Sequence, residues 1–122
     1  MKPISTTNAP AAIGPYSQGM ISDNKVYCSG QIPVDPATGE IPEGIEAQAH
    51  QSCKNVAAVL TAGGSSLDKV VKTTCFIADM NDFATFNAVY ADYFTSKPAR
   101  SCCAVKTLPK GVLCEIEAIA EI

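Results

Sequence analysis

Arg100, Glu115 and Glu117 punctuate an apolar closing stretch, P-A-R-S-C-C-A-V-K-T-L-P-K-G-V-L-C-E-I-E-A-I-A-E-I, running from Pro98 to Ile122. A guanidinium is a planar fork of donors that can hold a carboxylate through two parallel charge-assisted hydrogen bonds, and a carboxylate can pass protons to and from a bound molecule. Facing one space, the three could bind a small acid and act on it. A structural ion pair on a strand face is the plainer reading of the same residues, because such networks are common.

Their placement depends on the elements that carry them. Two runs rich in Val, Ile, Leu, Cys and Ala flank Leu108-Pro109-Lys110-Gly111, with Pro at the second turn position and Gly at the fourth, a pattern that predicts a β-hairpin. In its second strand Val112, Cys114, Ile116, Ala118, Ala120 and Ile122 share an all-apolar face, and Leu113, Glu115, Glu117, Ile119 and Glu121 share the other. An even loop sets Ala104 opposite Glu115, Cys102 opposite Glu117 and Arg100 opposite Ile119, so that Arg100 and both glutamates face one side. An odd loop would bury Arg100 against the apolar face, where an unpaired guanidinium costs several kcal/mol, so the even register is expected. In that register Glu117 is the nearer carboxylate, and Glu115 lies four residues along the face, roughly 13 Å away.

Upstream, Asn8 to Tyr16 is rich in Pro and small residues and reads as an extended, irregular arm. Tyr16–Ile21 and Lys25–Gly30 flank the turn formers Ser22-Asp23-Asn24 and pair as a hairpin. Gly30, lacking a Cβ, lets a ligand approach its backbone N–H beside the Ser29 hydroxyl; equally, it can simply end the strand. Glu43 to Ala62 has helical apolar spacing and a Gly63-Gly64 stop, with His50 on its polar, solvated side next to Glu46 and Lys54. Leu67 to Ala78 reads as a central strand covered on both faces. A second helix, Phe83 to Phe94, is capped by Asn81 or Asp82. Its aromatic stripe holds one amide, Asn87, which needs either backbone partners or a ligand.

The chain has 122 residues without a low-complexity break, which fits one domain over residues 1–122 of α+β class, two helices lying on one face of a mixed sheet in the order β-β-α-β-α-β-β. The charged strand face, too apolar to stay wet, calls for cover by another subunit. A formal charge of −3 lacks the clustered cations that nucleic acid requires. Neither the N-terminus nor any later run has the apolar length of a secretory signal or a membrane span, so a cytoplasmic protein is expected. Six cysteines without C-x-x-C spacing read as reduced core residues. With a single histidine, neither a zinc site nor a Ser-His-Asp triad is supported.

Several blocks, in order, resemble one family: G-P-Y-S-Q at Gly14–Gln18, S-G-Q-I-P at Ser29–Pro33, the D-P-A-T-G-E turn at Asp35–Glu40, then P-A-R-S, the Leu-Pro-Lys turn and C-E-I-E-A-I-A. They resemble the RidA (YjgF/YER057c/UK114) family of enamine/imine deaminases. The resemblance implies a chorismate-mutase-like fold, a homotrimer with sites in the clefts between subunits, and no metal or organic cofactor. The implied reaction is hydrolysis of 2-iminobutanoate or 2-iminopropanoate to a 2-oxo acid and ammonia. The implied roles give Arg100 the substrate carboxylate, Glu115 the attacking water, and Tyr16, Ser29, Gly30, Asn87 and Cys102 the substrate's pose, Gly30 and Cys102 through their backbones. A module that only senses small carboxylates, and an endoribonuclease or translation inhibitor, are the alternatives. This chain departs from the pattern before Pro98, where the segment after Phe94 is short and Lys97 stands in place of an aromatic or apolar residue. That departure bears on the lining of the cleft and on substrate size.

Overall fold

Asp23 and Asn24 both adopt left-handed backbone angles, with φ of 50° and 62°. Asp and Asn tolerate that region, and a two-residue turn of this kind matches the twist of paired strands. It closes the expected hairpin between β2 (Gly19–Ser22) and β3 (Lys25–Gln31) in the computed structural model, which describes all 122 residues. A further strand, β1 (Lys2–Ile4), pairs with β2 and was not expected. Three residues carry too little periodicity to be read as a strand from sequence.

The helices form as expected, α1 at Ile45–Ala62 and α2 at Phe83–Tyr93. Gly44, at φ 86°, delays the start of α1, and a short turn at Met80–Asp82 leads into α2. In that turn Asp79, not Asn81 or Asp82, supplies the side-chain cap, accepting from the Asn81 N–H at 2.8 Å. The remaining strands are β4 (Val70–Ile77), β5 (Ala99–Ala104) and β6 (Cys114–Glu121), and the sheet order is β1-β2-β3-β6-β4-β5. The fold is α+β, a mixed six-stranded sheet with two helices, in the element order β-β-β-α-β-α-β-β.

The expected C-terminal hairpin does not exist. The β5 strand pairs in parallel with β4, while β6 inserts between β3 and β4 and runs antiparallel to both. The Leu108–Gly111 turn is present, with the Gly111 N–H bonded to the Leu108 carbonyl at 3.0 Å, but it returns the chain past β4 instead of alongside β5. A central place suits β6, whose Cys114, Ile116, Ala118 and Ala120 are all buried, at the middle of a core that includes Val26, Val56, Leu60, Ile77 and Phe86. The β4 strand also differs from expectation: Val70, Thr73, Cys75 and Ile77 are buried, while Lys72, Thr74 and Phe76 on the opposite face are half-buried. Only one face of the sheet is covered within the chain.

Other side chains deviate in instructive ways. His50 is half-buried, its Nδ1 2.9 Å from the Tyr93 hydroxyl, so it joins the two helices and is not a solvated surface group. Of the six free cysteines, Cys103 is exposed and Cys102 half-buried, and only the other four belong to the core.

Irregular segments are held by buried amides. Gln18 accepts from the Thr6 N–H at 2.7 Å and donates to the carbonyls of Thr6, Ala9 and Pro10, pinning the arm before Tyr16. Asn55 on α1 donates to the carbonyls of Ile32 and Val34, and Gln48 links Pro42 to the Leu113 N–H. Such segments have no ladder to satisfy their backbone groups, and these side chains supply the missing partners. A Gln18→Ala substitution is expected to cost about 1–3 kcal/mol, read as a lower midpoint in urea with the m-value unchanged.

Candidate functional site

Thr73 on β4 lies abreast of Arg100 on β5 and of Ala118 on β6. Residues abreast in neighbouring strands share a face, so Arg100 points to the helix side of the sheet. Glu117 lies abreast of Thr74 and Glu115 abreast of Phe76, on the opposite side. The expectation that Arg100 shares a face with both glutamates is therefore overturned. Its premise was that a guanidinium on the apolar side would find no partner, and α2 provides three. The Arg100 Nη1 donates to Asn87 Oδ1 at 2.7 Å, and the guanidinium carbon lies 4.8 Å from the Tyr90 ring centroid and 5.5 Å from that of Phe83.

This half of the candidate site is braced from below. The Tyr90 hydroxyl pairs with Thr73 Oγ1 at 2.7 Å, and its ring stacks on the buried Phe94 at 4.4 Å. Thr73 and Tyr90 thus fix the platform on which Arg100 rests. With one donor spent on Asn87, four N–H groups of the guanidinium remain to bind an anion. A cavity of about 470 Å³, lined by Asn87, Tyr90, Phe94, Lys97, Pro98 and Arg100, opens at this edge. Cys102, two residues along from Arg100 and on the same face, lies on the edge strand, where part of the backbone has no ladder partner. Its thiol is pushed up by burial, with Arg100 acting in the opposite direction.

The other half is built on β3. Between Cys28 and Gln31 that strand takes three steps against two on β6, from Ala118 to Ile116, so Ser29 and Gly30 sit in a bulge outside the regular ladder. The Ser29 N–H bonds the Gln18 carbonyl at 3.0 Å, and its hydroxyl donates to the Ser17 carbonyl at 2.6 Å, tying the bulge to the segment after Tyr16. At Gly30 a Cβ would meet Glu115 Oε1 at 2.1 Å. The missing side chain is what lets that carboxylate rest against the β3 backbone. Glu115 is half-buried, and its carboxyl is raised above the usual value by burial first and by the neighbouring charge of Glu117 second. A cavity of about 200 Å³ opens beside Gly30, lined by Tyr16, Gln18, Asp35 and Lys110 among others, with Tyr16 half exposed.

Within one chain the two groups do not meet. The β5 strand lies two spacings, about 10 Å, from the Glu115 strand β6 and three, about 14 Å, from β3, and the Arg100 and Glu115 side chains project from opposite faces. Tyr16, Ser29, Gly30 and Glu115 form one cluster; Asn87, Arg100 and Cys102 form the other. The Asn87–Arg100 pair and the Tyr90 platform escaped the sequence reading, although the lone amide in an aromatic stripe was their signal.

Comparison with known proteins agrees with this architecture over nearly the whole chain. The family model described as Endoribonuclease L-PSP matches residues 6–122. A 2-iminobutanoate/2-iminopropanoate deaminase of Escherichia coli K12 is 55% identical over 123 residues, covering 98% of this chain and 96% of that protein. A mouse protein of the same name is 51% identical, covering 98% of this chain and 90% of its own length. Among solved structures, E. coli TdcF with bound serine superposes with a TM-score of 0.96 at 50% identity, covering 100% of this chain and 99% of the other. The match in sequence and in backbone, end to end, makes this chain a member of the YjgF/RidA family.

Proposed function

We propose that this protein is an enamine/imine deaminase acting on 2-iminobutanoate and 2-iminopropanoate, and that its site forms where the Arg100 edge of one copy meets the Tyr16–Glu115 cluster of the next. The separation of the two clusters within one chain is the observation that carries the reading, together with a sheet face left uncovered in the monomer. Unlike surfaces that pair head to tail close into rings, and the family resemblance sets the ring at three. Relatives that carry the deaminase name, and TdcF with serine bound, support a ligand with an α-carboxylate.

In the assembled cleft, Arg100 grips the α-carboxylate, and the backbone groups at Gly30 and Cys102 align the imine with Asn87 and Tyr16 beside it. Glu115 takes a proton from water as the oxygen bonds to the imine carbon and the C=N π pair moves onto nitrogen. The proton then passes to nitrogen to give a carbinolamine; its hydroxyl returns a proton to Glu115, which hands it to the amine as the C–O pair forms C=O and the C–N bond breaks, so that one imine and one water give one 2-oxo acid and one ammonia. A raised carboxyl suits this exchange, because a group that both accepts and returns a proton works best near the ambient pH.

A mixing experiment tests the shared site. Arg100→Ala and Glu115→Gln chains, each inactive alone, are co-refolded and supplied with imine by a threonine dehydratase. Random ring assembly restores about a quarter of the wild-type activity, since half the edges and half the clusters at each cleft are intact. A mixture as inactive as its parents would place the whole site in one chain and defeat the proposal. As a separate check on the Glu115 seat, Gly30→Ala is expected to fold, because the far end of a flexible side chain can move aside. It should nevertheless lose imine hydrolysis by about tenfold or more, as the carboxylate is displaced.

A further inference from the structure

Phe83, Asn87 and Tyr90 stand at positions i, i+4 and i+7 of α2, a spacing that puts them on one stripe of the helix. All three meet the Arg100 guanidinium: Nη1 donates to Asn87 Oδ1 at 2.7 Å, and the guanidinium carbon lies 4.8 Å from the Tyr90 ring centroid and 5.5 Å from that of Phe83. An arginine side chain is otherwise long and free to turn. Holding its fork in one plane costs rotamer entropy at the moment of binding unless neighbours have already fixed it.

Tyr90 is the ring contact that is itself anchored on both sides. Its hydroxyl pairs with Oγ1 of the fully buried Thr73 at 2.7 Å, and its ring stacks on the buried Phe94 with centroids 4.4 Å apart and planes 21° from parallel. Burial raises that hydroxyl above the usual tyrosine value, so it stays protonated in its seat on Thr73. Thr73 is also the residue of β4 that lies abreast of Arg100. The backbone of the arginine and the ring beneath its head group are therefore both referred to Thr73, one through the strand pairing and the other through a side-chain hydrogen bond. All of these contacts lie within a single chain. We infer that Tyr90, braced by Thr73, is a positioning residue for the reaction: it sets the plane of the Arg100 guanidinium so that two parallel N–H groups meet the α-carboxylate together. A tilted fork keeps its charge but makes one bond in place of two.

The inference rests on the deaminase reading for its ligand, and charge selectivity tests it without turnover. The probes are 2-oxobutanoate and its neutral analogue 2-oxobutanamide, titrated by calorimetry into the assembled wild-type protein, Tyr90→Leu and Arg100→Ala. The wild type should prefer the carboxylate about a hundredfold and Arg100→Ala should show almost no preference. In Tyr90→Leu the preference should fall to about tenfold, as one charge-assisted bond is lost. A loss of packing alone would weaken both probes alike and keep the wild-type ratio, and that result would overturn the inference. An Arg100→Ala ratio equal to that of the wild type would overturn it together with the Arg100 grip. Should Tyr90→Leu fold poorly, Tyr90→Phe keeps the ring and cuts only the tie to Thr73. Its ratio should drop about threefold, and an unchanged ratio there would overturn the inference as well. Absence of 2-iminobutanoate hydrolysis alongside the expected ratios would count against the deaminase reading alone.

Discussion

An Arg100→Ala variant is expected to lose about 10² to 10⁴ in kcat/KM for 2-iminobutanoate, because two charge-assisted hydrogen bonds to the α-carboxylate, each worth about 1.5–3 kcal/mol, disappear together. The fold should persist. Arg100 is half-buried at the sheet edge, and its removal exposes the Tyr90 face and frees Asn87 Oδ1 without opening the core. Arg100→Lys separates charge from geometry: the ammonium keeps the attraction but lacks the fork, so KM should rise while a smaller share of activity survives. The dehydratase-coupled assay reads both variants, with circular dichroism confirming the fold. Near-normal deamination by Arg100→Ala would remove the guanidinium from the mechanism.

Glu115→Gln is expected to be comparably damaging, with a loss of about 10² to 10⁴ in rate if the carboxylate is the general base. Its pH signature is distinctive. Burial and then Glu117 raise the Glu115 carboxyl, so the acid limb of the kcat/KM profile should lie above the ordinary glutamate range. Glu117→Gln removes the second of those causes and should move the limb to lower pH. For stability the sign is reversed. A carboxyl whose value is raised by folding favours the fold below its unfolded value, and that contribution disappears as pH rises through the folded one. Glu115→Gln, having no charge to desolvate, should therefore melt no lower than wild type at neutral pH while being inactive. A limb that stays in place in Glu115→Gln would assign it to another group.

The parts of the fold governed by local periodicity were legible in the sequence. Both helices, the Asp23–Asn24 turn and the apolar face of the last strand follow from spacing and turn chemistry. Strand neighbours were not legible, because an apolar run beside a turn looks the same whether it pairs across that turn or crosses to the centre of the sheet. Pairing β5 with β6 placed Arg100 on the face of the glutamates and left a gap of roughly 13 Å to Glu115. The observed order explains the difficulty: the arginine and the glutamates belong to different faces. Asn87 and Arg100, thirteen residues apart, each looked anomalous alone, and each is the other's partner. A guanidinium is relieved by an amide and by ring faces as well as by charges, and that is how Arg100 is accommodated on the apolar side of the sheet.

The distribution of thiols has a consequence for handling the protein in oxidising or alkylating conditions. Burial pushes Cys28 and Cys75 up to about 12 and Cys114 to about 11, and raises Cys53 as well, so all four remain protonated and poorly nucleophilic at neutral pH. Of the six cysteines only Cys103, on the outermost strand, is exposed to electrophiles; Cys102 beside it is half-buried and its thiol is raised by burial as well. Damage by such reagents therefore converges on the ribbon that carries the anion grip, and inactivation should precede unfolding.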